Sequence, residues 1–330
     1  MEFKMPVTIK TIAEITGLSL GTVSQALRDN NQTSEKTRAK VRAAAEKLGY
    51  VPSDIGRALQ AGKSFLIGYF LADITMTYYV EIMQGLARAA SENGYGVLFV
   101  SPSFDPEDQI KQIKFLEKKK VEGIITSGCE PEAWRYLEKL HEREFPVVVS
   151  ENIAPTKITM VKTDDFEGGR MAAAHLAELG HKKMLYFNPQ KAYNLRKEGF
   201  QQELRDRKLP AAFECQDENE LRSILRNSER PTAIFAYCDI DAMRIRAIAF
   251  EIKLRIPEDL SLIGFDDDVY SSFPDVALST LRPQKQEVGR KSFQVLLKII
   301  KEGDLENSVL LKPGLIIRKT TAAPATGKGM

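Results

Sequence analysis

The chain is poor in the residues that mark several large classes of protein. Its 330 residues include three cysteines, Cys129, Cys215 and Cys238. They are odd in number, far apart and at no metal-binding spacing, which excludes a disulfide framework and suggests reduced thiols in a cytoplasm. There are three histidines, His141, His175 and His181, and they are scattered. His175 sits in an amphipathic helical run and His181 follows Gly180, so surface or helix-capping places are expected for them, not metal ligation. No run of 18 apolar residues occurs, so no membrane span is expected. Met1–Pro6 has no apolar stretch, so neither is a secretory signal. Internal repeats and low-complexity segments are not evident. There is almost no net charge, +2 overall.

What is present is globular. Hydrophobic residues make up 43% and charged residues 28%. The length suits about two to three domains with large cores. The small net charge is unevenly spread. Residues 1–63 hold ten Lys/Arg and six Asp/Glu, whereas the remainder holds 37 and 39. A basic head on a near-neutral body fits a DNA-binding module joined to a sensor, although a solvated basic face has the same signature.

The basic end reads as helix, tight turn, helix. Ile9, Ile12 and Ala13 fall at helical spacing before Gly17, which can take the left-handed conformation that stops a helix. Ser19 is a good N-cap for the next helix. Val23, Ala26 and Leu27 form its inner stripe, and Leu20, Gly21, Thr22, Ser24 and Gln25 its outer face. That is the build of a helix-turn-helix, whose second helix enters the major groove. By itself it is also the build of any surface helical hairpin. A third helix begins near Ser34, Lys36 and Thr37, with Val41, Ala44, Ala45 and Leu48 inward, and Gly49-Tyr50-Val51-Pro52 ends it.

From Phe65 strands and helices alternate. Strand-like runs are Leu66–Leu71, Val97–Ser101, Gly123–Thr126 and Pro146–Ser150, then Ile158–Lys162, Met184–Phe187, Ala233–Ala236 and Leu260–Gly264. Helical runs lie between them, the first near Val80–Asn93. Two such series predict two doubly wound α/β lobes with parallel sheets and a ligand cleft at the strand ends. A late helix, Lys285–Lys301, and the strand-like Val309–Leu311 and Leu315–Arg318 complete the pattern.

The residues Val7-Thr8-Ile9, Ala13-Glu14, Gly17-Leu18-Ser19, Thr22-Val23-Ser24, Ser34, Thr37-Arg38 and Leu48-Gly49-Tyr50-Val51-Pro52 carry a resemblance. It continues through Ile67-Gly68, Pro146-Val147-Val148, Leu262-Ile263-Gly264-Phe265-Asp266-Asp267 and Arg318–Pro324. In these segments the chain resembles the lactose-repressor (LacI/GalR) family of bacterial transcription regulators over nearly its whole length. The resemblance implies a DNA-binding head at 1–52, a hinge at 53–64 and a periplasmic-binding-protein-like (type I) sensor at 65–325. Its first lobe would span about 65–161 and 285–312, its second about 162–284 and 313–325. Operator DNA would be met by Thr8, Ser19, Leu20, Gly21, Thr22, Ser24, Gln25, Ser34 and Thr37. Leu59 matches the hinge leucine that wedges into the minor groove, although Gly56 stands where the family usually carries alanine. Effector contacts would come from Asp73, Tyr78, Tyr79, Glu151, Arg196, Cys238, Asp239 and Asp266, in loops at the strand ends. The implied product is a cytoplasmic, non-enzymatic repressor. It would bind a palindromic operator as a homodimer and answer to a carbohydrate-related effector, with no cofactor and no membrane. The chain stops soon after Pro324 without a leucine heptad tail, so a dimer is expected and not a tail-made tetramer.

Some features depart from the pattern or compete with it. Cys238 stands where many sugar-binding relatives carry asparagine, and Arg244 where glycine is common. The loop from Asn188 to Arg196 is short. These changes leave room for a phosphorylated or acidic ligand. Gly17-Leu18-Ser19-Leu20-Gly21 matches a hydrolase nucleophile elbow, but a helix precedes it, not a strand. Gly56 to Gly62-Lys63-Ser64 has five intervening residues and precedes a strand, so it cannot be a phosphate loop. Asp266-Asp267-Asp268 lacks ligand-spaced partners and reads as a strand-end loop. The alternative is a two-lobe binding protein or enzyme whose N-terminal helices do not bind DNA.

Overall fold

The computed structural model describes residues 7–27, 33–50, 62–71, 74–75, 77–151, 156–189, 194–303 and 308–325. They fall into two units, Met1–Ser64 and Phe65–Met330.

The described part of the smaller unit is helical: α1 (Ile9–Thr16), α2 (Leu20–Leu27) and α3 (Glu35–Lys47). Gly17 ends α1 at φ 68° and ψ 26°, a left-handed pair that a Cβ would oppose. Ser19 Oγ then accepts from Thr22 N at 3.1 Å and starts α2. Ser34 Oγ does the same for Thr37 N at 3.3 Å ahead of α3. Ile12, Val23, Ala26, Val41 and Ala45 are buried together, ringed by Ile9, Leu18, Leu27 and Leu48. Lys40 Nζ donates to the Thr16 carbonyl at 2.7 Å, which satisfies an open carbonyl at the end of α1.

In the larger unit two sheets form. The first contains β1 (Leu66–Leu71), β2 (Gly96–Val100), β3 (Ile124–Ser127), β4 (Val147–Ser150), β5 (Met160–Thr163) and β11 (Val309–Leu311). Its order is β11-β5-β4-β3-β1-β2, parallel throughout. The second contains β6 (Met184–Phe187), β7 (Phe213–Cys215), β8 (Ala233–Ala236), β9 (Ser261–Phe265), β10 (Ser279–Arg282) and β12 (Gly314–Ile316). Its order is β12-β10-β9-β8-β6-β7, with β12 antiparallel to β10.

Helices cover both faces of each sheet, which is why strands such as Val147-Val148-Val149-Ser150 are buried end to end. On the first sheet, α4 (Thr77–Glu92) and α11 (Lys285–Glu302) pack Ile82, Leu86, Val288 and Phe293 over Ile67, Tyr69 and Val148. Helices α5 (Pro106–Lys118) and α6 (Pro131–His141) place Ile113, Leu116 and Leu137 on the opposite face. On the second sheet, α7 (Asp165–Glu178) and α8 (Leu195–Asp206) supply Leu176, Phe200 and Leu204. There α9 (Glu218–Arg226) and α10 (Asp239–Glu251) supply Leu221, Leu225, Ile245 and Ile248.

One packing device occurs in both lobes. A Cβ on Gly289 would stand 1.9 Å from the Ile82 carbonyl oxygen, so α4 and α11 touch backbone to backbone. A Cβ on Gly199 would stand 1.8 Å from the Phe166 carbonyl oxygen, so α7 and α8 touch the same way.

The chain passes to the second sheet after Thr163, returns after β10 through α11, and crosses again between β11 and β12. Strands β7 and β10 were not expected from the sequence. Ser279-Thr280-Leu281-Arg282 reads as polar, but distant residues satisfy its hydroxyls: Arg318 N donates to Ser279 Oγ at 2.9 Å, and Thr280 Oγ1 donates to Asp239 Oδ1 at 2.7 Å. Helix α4 begins at Thr77, earlier than the expected Val80, so Tyr78 and Tyr79 are helical and not in a loop.

Candidate functional site

In the head, the sequence-predicted reading face is open to solvent. Leu20 is 46% exposed, and Thr8, Ser19, Gly21, Gln25 and Ser34 are exposed as well. Thr22, Ser24 and Thr37 are half-buried. Side chains on the outer half of α2 are therefore available, while Val23 and Ala26 anchor its inner half. The capping hydroxyls are partly committed: Ser19 Oγ and Thr22 Oγ1 lie 2.9 Å apart, as Ser34 Oγ and Thr37 Oγ1 do at 2.8 Å. Leu59 in the hinge and Asp73 after β1 lie outside the described residues.

The second candidate site lies at the carboxyl ends of the strands in the larger unit. Arg196, in the first turn of α8, is its centre and is only 8% exposed. Its Nε donates to Asp165 Oδ1 at 2.8 Å and its Nη1 to the Tyr237 carbonyl at 2.6 Å. The guanidinium carbon lies 3.6 Å from the centre of the Phe265 ring and 4.6 Å from that of Tyr237. Every handle on this cation is fixed, so its remaining donors point in a set direction.

Asp266 follows β9 and is 7% exposed. Its Oδ1 is 3.8 Å from Arg196 Nη2 and makes no hydrogen bond. Burial drives its carboxyl well above the ordinary range, and Arg196 only partly offsets this. Its backbone stands at φ 108°, strain of about 1–3 kcal/mol for a residue other than glycine. A buried acceptor left unpaired is an exception among buried polar groups and marks Asp266 as a candidate contact residue.

The first lobe contributes Glu151, Tyr78 and Tyr79. Glu151, directly after β4, also has a left-handed backbone at φ 58°. Its Oε1 accepts from Thr163 N and Oγ1, both at 2.8 Å. Burial first, then the Asp165 charge, push its carboxyl up to about 7. The Tyr78 and Tyr79 rings meet edge to face at 5.4 Å. Burial first, then the Glu151 charge, push the Tyr79 hydroxyl up. The lobes touch directly: Thr77 Oγ1 donates to Asp268 Oδ1 at 2.7 Å.

Asp239 requires a correction. It is fully buried, and its Oδ2 accepts from Asp268 N at 2.9 Å and Ser271 Oγ at 2.6 Å. Its Oδ1 accepts from Thr280 Oγ1 at 2.7 Å. With these donors in place it orders the turn after Asp266 and presents no free face to a ligand. Burial raises its carboxyl to about 6. Cys238 is 7% exposed and donates through Sγ to Asp241 Oδ2 at 3.2 Å, and burial pushes its thiol up. Arg244 pairs with the same Asp241 at 3.3 Å.

The sequence reading missed Asp165 and Tyr237. The pair Asp164-Asp165 at a helix start looks like a single cap. Asp164 supplies the cap by accepting from Glu167 N at 3.0 Å, which leaves Asp165 for Arg196. The histidines were also misplaced. His175 and His181 are buried joints: His175 Nε2 meets Thr321 Oγ1 at 3.0 Å and His181 Nε2 the Ala322 carbonyl at 2.9 Å. Among the described residues no cluster of His, Cys, Asp and Glu could hold a metal ion. Nor is any described helix long and apolar enough to cross a membrane.

Comparison with known proteins gives three family matches. Residues 8–53 match the bacterial regulatory proteins of the lacI family. Residues 67–236 match a periplasmic binding protein domain, and 173–321 a periplasmic binding protein-like domain. The HTH-type transcriptional repressor PurR of Haemophilus influenzae is 30% identical over 95% of this chain and 98% of that protein. The HTH-type transcriptional regulator DegA of Bacillus subtilis is 28% identical over 96% and 99%. Among solved structures, the Lac repressor dimer bound to operator and an anti-inducer superposes with a TM-score of 0.83 at 25% identity, covering 96% of this chain and all of that one.

Proposed function

Since the chain belongs to the lacI family of bacterial regulatory proteins, and is a DNA-binding transcriptional repressor of that family and no enzyme, we propose that it acts in the cytoplasm as a homodimer on a palindromic operator. A small-molecule effector in the inter-lobe cleft sets its affinity. The observation that carries the sensor reading is the unpaired, buried Oδ1 of Asp266 beside a clamped Arg196. The effector is carbohydrate-related on this reading, because a carboxylate and a guanidinium fork bond hydroxyls well, and tyrosine offers a flat apolar face. Effector and operator are then coupled reciprocally.

The second lobe offers an exposed apolar surface for the homodimer. Phe250 on α10 is 85% exposed, and Val269 and Phe273 are 66% and 52% exposed. Arg246 donates to the Asp275 carbonyl and so ties α10 to the loop that carries them. A patch of this kind suits a second copy of the chain.

On α2, Leu20, Gly21 and Gln25 are the base readers. Glutamine pairs bidentately with adenine, so an A·T preference is expected at the Gln25 position. Leu59 acts as a minor-groove wedge that bends the duplex. The test is an operator selection followed by fluorescence anisotropy on purified protein, with size exclusion to give the assembly. Expected are a palindromic site, a dimer, loss of the A·T preference in Gln25→Ala, and weaker binding with less bending in Leu59→Ala. A monomer that ignores palindromes, or an invariant G·C unaffected by Gln25→Ala, would overturn the operator reading.

A further inference from the structure

The groups that face the cleft are shut in. Arg196 and Asp266 of the second lobe and Tyr78 of the first are buried, and Asp266 Oδ1 has no contact with solvent. A ligand reaches them only when the lobes part. The crossovers between the lobes are where such a parting hinges. In the first sheet they connect to β5 and β11, neighbours at one edge. They are tied to one another: Asp164 N donates to the Leu311 carbonyl at 2.9 Å, and Gln284 Nε2 to the Lys312 carbonyl at 3.0 Å. Thr77 lies elsewhere. It follows β1, which β3 and β4 separate from β5. A bond made there resists parting with a longer arm than one made at the crossovers.

Thr77 makes that bond. Its Oγ1, at the start of α4, donates to Asp268 Oδ1 in the other lobe at 2.7 Å. Thr77 is exposed, so the bond sits at the mouth of the cleft. Its acceptor is buried and rigidly held: Asp268 N donates to Asp239 Oδ2 at 2.9 Å, and Asp268 Oδ2 accepts from the Tyr270 hydroxyl at 2.9 Å. The turn that carries Asp268 also carries Asp266 and Asp267, at φ 108° and 47°. Arg318 Nη2 fixes it from outside by donating to Asp267 Oδ1 at 2.7 Å. One turn therefore presents Asp266 to the cleft and Asp268 to the opposite lobe. Resting on the reading of this cleft as the effector site, we propose that the Thr77–Asp268 bond is a latch. It holds the lobes together over Arg196 and Asp266, and its rupture admits and releases the effector. A hydrogen bond to a carboxylate is strong enough for this, about tenfold in the ratio of closed to parted lobes.

The test is hydroxyl-radical footprinting of the full chain without effector, read by mass spectrometry, on the parent, Thr77→Val and Thr77→Ser. Valine keeps the shape of threonine and removes the hydroxyl, whereas serine keeps the hydroxyl. The reporters are Tyr237, whose ring lies against Arg196, and its neighbour Cys238, both in the lobe opposite the substitution. In Thr77→Val their oxidation is expected to rise about threefold or more, toward the tenfold that the bond is worth. The core residues Phe200 and Phe293 are expected to stay at the level of the parent, and Thr77→Ser to match the parent throughout. Unchanged oxidation of Tyr237 and Cys238 in Thr77→Val overturns the latch. So does an equal rise in Thr77→Ser, or a rise that includes Phe200 and Phe293, because that reports general loosening. No effector enters this measurement, so the latch stands or falls by itself. The effector reading fails separately, by effector binding that Arg196→Ala leaves unchanged.

Discussion

The two lobes of the sensor share a frame and differ in their buried charge. Each has a sheet in the order of a doubly wound fold, covered on both faces, and each has a helix pair crossing through glycine: Gly289 against Ile82, Gly199 against Phe166. The buried ionic groups are distributed unequally. The second lobe holds Arg196, Asp239, Asp241 and Asp268, clamped by hydrogen bonds, and Asp266, whose Oδ1 is left without one. The first lobe offers Lys285, Glu151 and a pair of tyrosines. On the proposed reading of the cleft, a common frame would support a preorganised ligand platform on one side and a closing face on the other. The frame comes from backbone packing and the difference from a few strand-end residues.

The shared frame can be attacked first, because its loss is the largest expected effect. Gly289→Ala and Gly199→Ala each force a Cβ against a backbone carbonyl that has nowhere to go. Each should cost about 3 kcal/mol or more in urea unfolding of the full chain. If one glycine tolerates alanine, the two helix crossings are not equivalent.

The pH response separates the lobes next. Glu151 is raised from an ordinary 4.5 to about 7, so it stays protonated in the fold after the unfolded chain has ionised. Its contribution is fully present below about pH 4.5 and is lost as pH rises to about 7, a fall of up to ~3 kcal/mol. Glu151→Gln should abolish that part of the fall. The part due to Asp239 in the second lobe, between 3.8 and about 6, should remain. Thermal melts across pH 4–8 would show it, and identical profiles for the variant and the parent would remove Glu151 from the account.

A smaller effect sharpens the contrast between platform and closing face. Arg196→Ala should weaken effector binding by about 1–3 kcal/mol or more, and Tyr79→Ala by less, because the arginine donates clamped hydrogen bonds while the tyrosine offers a face. Calorimetry gives both values. Operator anisotropy without effector should be unchanged in each. Equal losses in the two variants would mean that the platform is not confined to the second lobe.

Much of this was legible in the sequence because local chemistry repeats along the chain. Gly17, Ser19 and Ser34 mark helix ends through backbone sterics and hydroxyl caps, and they occupy those positions in the structure. Short β-branched runs such as Val147-Val148-Val149 suit buried strands of a parallel sheet, and this one is buried end to end. The same periodicity predicted two α/β lobes, and the family resemblance, not the periodicity, singled out Arg196 and Asp266. Tertiary structure alone decided which strand-end carboxylate is free. Asp239 and Asp266 look alike in sequence, yet hydrogen bonds from Asp268, Ser271 and Thr280 occupy one and leave an oxygen of the other bare. It also decided that β10 is a buried strand and that His181 is an internal joint, because both depend on hydrogen bonds from residues near 320. Pattern reports what a residue can do; whether a buried polar group is already satisfied depends on partners far along the chain, and only the fold brings those together.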